Sequence, residues 1–225
     1  MIRSGYFFLV FAILCCAGCG STDKTFTGHG GMAGPVICLG DSITSGYNIN
    51  GDGKNDPAAA FPAVIEKLAG VPVINAGVAG DTTEQALARL GRDVLSKNPR
   101  IVVVFLGIND LSKNLDFDTT ERNMYGILGS IFDSGAKIFV IKFLPEQAIR
   151  WNLEQQGKDP FEQEAVLEQY DRLYDGLKNS FDAEIIDDIW DGIWQILTPD
   201  GIHPDAAGQE IIGKRVYEKI KFLFE

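Results

Sequence analysis

Five short apolar runs recur along the chain from residue 35 onward, and polar segments with helical periodicity separate them. The runs cover residues 35–40, 71–77, 100–107, 137–145 and 183–189. Continuous apolar runs of this length are typical of strands covered on both faces, and their alternation with helices is typical of βαβ units. The pattern predicts an α/β fold: a three-layer α/β/α sandwich around a flavodoxin-like five-stranded parallel sheet of order 2-1-3-4-5.

Helices are predicted between these runs from apolar stripes. One covers residues 61–70 and stops at Gly70, and another covers residues 81–90, where Asp81 and Glu84 have capping-box spacing. Three later stripes predict further helices around residues 128–132, 167–177 and 211–223.

A long connection is expected over residues 146–163, after the fourth strand. Its Ile149, Trp151 and Phe161 either line a pocket for an acyl chain or complete the core. Both alternatives stay open from the sequence.

The first 34 residues do not share the strand and helix pattern. Arg3 precedes an apolar run over residues 6–17, which is too short to cross a bilayer and is typical of a signal peptide. Small residues before Cys19 resemble a bacterial lipoprotein signal, which implies cleavage after Gly18 and a lipid on Cys19; a plain secretory signal is the alternative. We expect residues 1–18 to be a signal peptide and residues 19–34 a flexible tether. The protein is then exported and membrane-anchored, facing the periplasm or the cell exterior.

The net charge and the cysteine content argue against a nucleic-acid partner and against a disulfide framework. The net charge is −11 and no cluster of Lys and Arg is present, which argues against a nucleic-acid partner. Three of the four cysteines lie in the predicted signal region, and Cys38 lies within an apolar run. A disulfide framework is therefore not expected, and Cys38 should be a small buried hydrophobe.

The loops after the first three predicted strands carry the candidate chemistry. "GDSITSG" contains Ser42, "NAGVAGDTT" contains Gly80 and "GIND" contains Asn109. In a 2-1-3-4-5 sheet these three loops lie at one edge and line one crevice. We therefore expect Ser42, Gly80 and Asn109 to lie close together.

A fourth loop, "TPDGIHPDAAG", precedes the last predicted helix and is expected at the same edge. It contains Asp200 three residues before His203. That spacing lets the carboxylate reach Nδ1 of the imidazole while Nε2 faces the serine. The other histidine, His29, lies in the predicted tether, so histidine chemistry must use His203.

These four blocks resemble those of the SGNH (GDSL-type) hydrolases, and "AGDTT" and "FPAVIEKL" resemble the branch of thioesterases, lysophospholipases and arylesterases. The resemblance implies a hydrolase domain over residues 35–225 that cleaves carboxylic esters or thioesters through an acyl-enzyme, without a cofactor or metal. It implies that Ser42 is the nucleophile, that His203 is the acid and base, and that Asp200 orients His203. Backbone N–H groups of Ser42 and Gly80 and the side chain of Asn109 would form the oxyanion hole.

Other interpretations of these residues stay open. A carbohydrate O-acetyl esterase would use the same triad, and a non-catalytic envelope binding protein could keep the fold. A metal-dependent phosphoesterase would have few ligands, with one histidine in the domain. Residues 48–59 resemble part of a calcium loop, with Asn48, Asn50, Asp52 and Gly53 suitably spaced, but the twelfth position is Ala59 instead of Glu. A polar surface loop is the alternative there.

Overall fold

A five-stranded parallel sheet forms the centre of the fold. The computed structural model describes residues 34–142, 146–191 and 200–224, all of which lie within one compact unit. The strands are β1 (Val36–Gly40), β2 (Val73–Gly77), β3 (Ile101–Phe105), β4 (Lys137–Ile141) and β5 (Glu184–Ile186). Their order, β2-β1-β3-β4-β5, confirms the predicted topology.

The register of the sheet brings the first three strand ends to one edge. Gly40, the last residue of β1, is paired with Gly77 on one side and with Phe105 on the other. All residues of β1 and β3 are buried, as expected for strands covered on both faces. The loops that follow β1, β2 and β3 therefore start side by side.

Helices cover both faces of this sheet. In the described part of the chain they are α1 (Ser42–Ser45), α2 (Phe61–Ala69), α3 (Thr83–Asp93), α4 (Ile108–Ser112), α5 (Phe117–Asp133), α6 (Glu146–Gln155), α7 (Pro160–Phe181) and α8 (Ala206–Ile220). Short 3₁₀ helices occupy Leu95–Lys97, Asp188–Trp190 and Lys221–Leu223.

Residues 146–163, predicted only as a long connection after the fourth strand, are mostly helical. Helix α6 fills the first ten of them, and α7 begins at Pro160 with Asp159 as its N-cap. Ile149 and Leu153 are buried in the core, four residues apart on one helical turn. This apolar face stabilises α6 against the domain.

The capping box of α3 lies one residue later than predicted. Thr82, not Asp81, is the N-cap, and Gln85, not Glu84, completes the box. The Asp81 carboxylate instead accepts a 2.6 Å hydrogen bond from Nε of Arg89. Because that buried guanidinium needs a counter-charge, Asp81 is not available to cap the helix.

One buried side chain of α8 links the last helix to the start of the domain. Nε2 of Gln209 donates to the carbonyl of Ile43 at 3.0 Å, and its Oε1 accepts from the N–H of Phe61 at 2.9 Å. Gln209 is fully buried, so both ends of its amide are satisfied inside the core. Helices α1, α2 and α8 are thereby fixed to each other.

Some sequence predictions fall on residues that the structure does not describe. The signal peptide, Cys19 and all of the tether except its last residue, Gly34, lie outside the described residues. Within the described ranges, no helix has the length and apolar character needed to cross a bilayer. Cys38 is fully buried in β1, where burial raises the pKa of its thiol.

Candidate active site

Ser42 is the first residue of α1 and directly follows the end of β1. Asp41 caps this short helix, since its Oδ1 accepts from the N–H of Ile43 at 3.0 Å. Helix α1 lies tightly over the end of β2: a Cβ on Gly77 would lie 2.3 Å from the backbone nitrogen of Ser45. Glycine at position 77 therefore allows the serine turn to lie close to the sheet.

The structure brings Ser42, His203 and Asp200 into one hydrogen-bonded row. Nε2 of His203 lies 2.9 Å from Oγ of Ser42, and Nδ1 lies 2.8 Å from Oδ2 of Asp200. The other carboxylate oxygen of Asp200 accepts from the backbone N–H groups of Ile202 and His203, at 2.9 and 3.0 Å. This arrangement can transfer a proton from a serine hydroxyl to an oriented imidazole.

Gly80 and Asn109 line the same cleft as Ser42 and His203. Nδ2 of Asn109 donates to the carbonyl of Asp81 at 3.0 Å and approaches Oδ2 of Asp41 at 3.4 Å. Its helix, α4, starts after Gly107, whose φ of 114° favours glycine. The Asn109 amide is thus held at the edge of the cleft, close to the serine turn.

A buried ion pair supports the loop that contains Gly80. In addition to its bond with Asp81, Arg89 donates from Nη1 to the carbonyl of Ala76 at 2.8 Å and from Nη2 to that of Gly40 at 3.0 Å. The guanidinium therefore contacts the ends of β1 and β2 and the loop after β2 at once. Nη1 also donates to Oδ2 of Asp93 at 3.3 Å, so four donors are satisfied in a site where unpaired charge would be costly.

Two further buried carboxylates lie behind the serine turn. Burial raises the pKa of Asp41 to about 7, opposed by the hydrogen bond from the N–H of Ile43, with Asp81 and Asp110 adding smaller repulsive contributions. Asp110 accepts from the backbone N–H of Thr83 at 3.0 Å and from its hydroxyl at 2.6 Å. Asp41 therefore caps α1, and Asp110 accepts from the first residue of α3.

The cleft at Ser42 has a volume of about 430 Å³ and a largely apolar lining. Its walls come from the four loops and from α6. The lining residues are Ser42, Ile43, Tyr47, Ala79, Gly80, Ile108, Asn109, Ser112, Trp151, Asn152, Gly201, Ile202 and His203. Such a cleft is of the size and character that bind small organic ligands.

The three apolar residues of the 146–163 segment have three different positions. Trp151 lines the cleft, Ile149 lies in the core and Phe161 is 84% exposed at the start of α7. Only Trp151 is therefore placed to contact an acyl chain. The sequence did not distinguish the buried position of Ile149 from the exposed position of Phe161, because α6 itself was not predicted.

The segment that resembles a calcium loop uses its polar groups in other contacts. Oδ1 of Asn48 accepts from the N–H of Gly53 at 2.8 Å, and Nδ2 of Asn50 donates to Asp56 at 3.3 Å. No group of three or more His, Cys, Asp or Glu side chains that could hold a metal ion exists among the described residues. The polar surface loop is the interpretation that these contacts support.

Sequence reasoning missed several residues that contact or support this site, among them Asn48, Arg89 and Tyr47, whose ring lies against His203. Asn48 donates to Oδ2 of Asp200, and Arg89 supports the Gly80 loop. Arg89 is a charged residue within the apolar stripe of α3, and this unusual position is the sequence signal that could have identified it. No signal pointed from Asn48 to Asp200, because they are 152 residues apart.

This chain is similar to known proteins of one family. The model of the GDSL-like lipase/acylhydrolase family matches residues 38–211. The thioesterase 1/protease 1/lysophospholipase L1 of Escherichia coli is 27% identical over 198 residues, which cover 85% of each chain. An arylesterase of Vibrio mimicus is 32% identical over 107 residues, covering 48% of this chain and 53% of the relative.

The same fold is found among solved structures. The crystal structure of TesA superposes with a TM-score of 0.68 at 23% identity, covering 84% of this chain and 99% of TesA. This similarity shows the fold. The family match spans all four loops of the cleft and identifies the class of enzyme. The chain belongs to the GDSL-like lipase/acylhydrolase family and is an SGNH-type esterase.

Proposed function

We propose that this esterase hydrolyses carboxylic esters or thioesters of apolar acyl groups through an acyl-enzyme on Ser42. The observation that carries the proposal is the row from Ser42 through His203 to Asp200 at the edge of an apolar cleft. Ester, thioester and lysophospholipid substrates share the carbonyl group that this row can attack. The names of the relatives from Escherichia coli and Vibrio mimicus support this range of substrates.

The proposed reaction has two steps with the same proton carrier. Oγ of Ser42 attacks the carbonyl carbon while Nε2 of His203 takes the hydroxyl proton, and His203 then gives that proton to the departing alcohol or thiol. Water next attacks the acyl-enzyme while His203 takes one of its protons, and His203 then returns this proton to Oγ of Ser42 as the acid is released. Asp200 stays ionised and stabilises the imidazolium through Nδ1.

Negative charge develops on the carbonyl oxygen in both steps. Backbone N–H groups of Ser42 and Gly80 and the Nδ2 group of Asn109 are the proposed donors to this oxygen. Nδ2 of Asn109 donates to the carbonyl of Asp81 at 3.0 Å and more weakly to Asp41 at 3.4 Å, so the longer contact with Asp41 is the one that it would exchange for the carbonyl oxygen of the substrate. Such preorganised donors are a large source of rate enhancement in acyl transfer.

The acyl group is proposed to lie along Trp151, Ile108 and Ile202. The side chains of Trp151 and Ile202 are 53% and 43% exposed, so an apolar chain placed against them removes apolar surface from water. Each buried methylene contributes about 0.8 kcal/mol. We therefore expect butyrate and octanoate esters to be better substrates than acetate esters.

A panel of p-nitrophenyl acetate, butyrate, octanoate and palmitate, with an acyl-CoA and an acetylated xylan, tests this proposal. We expect kcat/KM to rise from acetate to butyrate, and a serine-directed phosphonate to label Ser42 and abolish activity. Preference for acetylated xylan would instead indicate a carbohydrate O-acetyl esterase, like the acetylxylan esterase of Geobacillus stearothermophilus that is 23% identical over 216 residues. Inertness toward the whole panel would favour a binding protein.

We further propose that the protein is exported and anchored by a lipid on Cys19. The support is the lipoprotein-like signal before Cys19, and a stretch of 107 residues that is 34% identical to the uncharacterized lipoprotein YqeF of Bacillus subtilis. Globomycin should block processing of the precursor, and Cys19→Ala should release the protein from membranes. Unchanged processing and fractionation would favour a plain secretory signal or no export.

A further inference from the structure

The segment after α1 lies against the turn that contains Asp200 and His203. The ring of Tyr47 meets the imidazole of His203 edge-on, with 5.1 Å between ring centroids. The next residue, Asn48, donates from Nδ2 to Oδ2 of Asp200. Asn48 is six residues after Ser42, so one short stretch of chain contacts the turn through both the nucleophile and this amide.

The amide of Asn48 is held in one orientation. Its Oδ1 accepts a 2.8 Å hydrogen bond from the N–H of Gly53, which leaves the NH₂ group facing Asp200. A flipped amide would place its oxygen against the carboxylate and its NH₂ against the N–H of Gly53, and both contacts would be repulsive. The backbone of Asn48 has a φ of 59°, a conformation that asparagine tolerates better than most residues.

The bond from Asn48 differs from the other bonds to the Asp200 carboxylate. The donors on Ile202 and His203 belong to the same turn as Asp200, so they move with it. Asn48 lies 152 residues earlier in the chain and is buried beside the nucleophile turn. Its bond therefore fixes the turn relative to Ser42 and does not only stabilise the turn internally.

We propose that Asn48 is a positioning residue for the catalytic reaction, acting through Asp200. It holds Oδ2 of Asp200 against Nδ1 of His203, so that Nε2 stays directed at Ser42. The inference rests on the proposed function of the triad. A charge-assisted hydrogen bond of this kind contributes enough that its loss should lower kcat about 10- to 100-fold, with a small change in KM.

Two substitutions at position 48 separate the bond to Asp200 from the bond to Gly53. Asn48→Gly keeps the left-handed backbone and removes both bonds. Asn48→Asp keeps an oxygen for Gly53 but places a like charge against Asp200, and it should lower kcat at least as much as Asn48→Gly. Asn50→Ala is the matched control, because it removes the exposed loop bond to Asp56 without contacting Asp200; its kcat should stay within twofold of wild type.

A double-mutant cycle with Asp200→Ala tests whether Asn48 acts through Asp200. In that background we expect Asn48→Gly to change the residual kcat on p-nitrophenyl butyrate by less than twofold. A persisting 10-fold loss would overturn the proposal, and so would a kcat for folded Asn48→Gly and Asn48→Asp within twofold of wild type. If Asn48→Gly does not fold, Asn48→Asp is measured in the wild-type and Asp200→Ala backgrounds, and the same criteria apply to its kcat.

The failure of the triad itself gives a different result from the failure of this inference. If Ser42→Ala keeps wild-type activity, the proposed function is wrong and the Asn48 variants have nothing to position. If Ser42→Ala is inactive while both Asn48 variants are fully active, the proposed function stands and the inference is wrong.

Discussion

The two sides of the proposed triad are held by different means. On the nucleophile side, Ser42 follows a fully buried strand, and Asp41, Asp81 and Arg89 form polar contacts inside the core. On the acid and base side, Asp200 is exposed and is held mainly by hydrogen bonds of its own turn and by Asn48. The core thus determines the position of the attacking atom, whereas the hydrogen bonds of one surface turn, together with the bond from Asn48, determine the position of its proton acceptor.

The strongest test of the nucleophile side is Ser42→Ala, which we expect to lower kcat about 10⁵-fold because no other hydroxyl replaces Oγ. Hydrolysis of p-nitrophenyl butyrate by the purified variant measures this loss. Ser96→Ala is the control, since that exposed serine bonds only the local carbonyl of Arg92 in the described contacts. Residual activity above one per cent of wild type would contradict the assignment of Ser42.

Arg89→Met should cause the largest loss of stability. It leaves Asp81 buried without its counter-charge, and we expect the free energy of unfolding to fall by about 3–5 kcal/mol. Urea unfolding at pH 7 measures the change. The double variant Arg89→Met/Asp81→Asn carries no unpaired charge and should recover part of the lost stability. If Arg89→Met alone stays within 1 kcal/mol of wild type, the ion pair does not support the nucleophile side of the site.

Asn109→Ala removes one proposed donor to the oxyanion and leaves the triad intact. We expect kcat to fall about 10²- to 10³-fold, with KM little changed. Steady-state kinetics on p-nitrophenyl butyrate measure both parameters. A loss confined to KM would mean that Asn109 binds the ground state of the substrate rather than stabilising the developing charge.

Asp41→Asn should raise stability and lower activity. Because burial raises the pKa of Asp41 from 3.8 to about 7, the folded protein retains a proton between pH 4 and 7 that the unfolded chain has lost. The proton on Asp41 therefore stabilises the folded protein by an amount that falls as pH rises through this range. The Asp41→Asn variant lacks this pH-dependent contribution to the free energy of unfolding.

At pH 8 we expect Asp41→Asn to be more stable by about 1–3 kcal/mol, with little gain at pH 4. The kcat should fall about 10-fold, since the carboxylate beside the Asn109 amide is lost. Urea unfolding at both pH values and kinetics at pH 8 measure these effects. An equal stability change at pH 4 and pH 8 would contradict titration of Asp41 in this range.

Arg150→Ala should have the smallest effect. Arg150 pairs with Glu146 within α6 and with Glu164 on α7, but all three side chains are partly exposed. We expect less than about 1 kcal/mol from these pairs. Thermal unfolding measures the change in stability. As a comparison, Leu153→Ala truncates a buried residue of the same helix and should lower stability more than Arg150→Ala. The reverse order would mean that ion pairs hold α6.

The sheet could be predicted because its signals are local. Each strand is a continuous apolar run, and the order of runs and helices limits the topology to few arrangements. The loops carrying Ser42, Gly80 and Asn109 follow from that topology. Short helices such as α1 and α4 were not predicted, since four or five residues carry too little periodicity.

The contacts that hold the site were harder to predict than the residues in it. The capping box of α3 was placed one residue early because Asp81 and Thr82 are both good N-caps, and only the position of Arg89 decides between them. The bond from Asn48 to Asp200 joins residues that no local pattern connects. Side-chain contacts between distant segments depend on packing, which sequence periodicity does not contain.

The buried amide of Gln209 has a consequence for how the enzyme becomes active. Gln209 contacts Ile43 across 166 residues, and Ser42 meets His203 across 161. We expect such contacts to form late in folding, because closing loops of this length costs chain entropy. A chain that has not yet docked α8 holds neither its serine turn nor its histidine in place. Esterase activity therefore reports completed folding, and recovery of activity during refolding should coincide with the docking of the last helix.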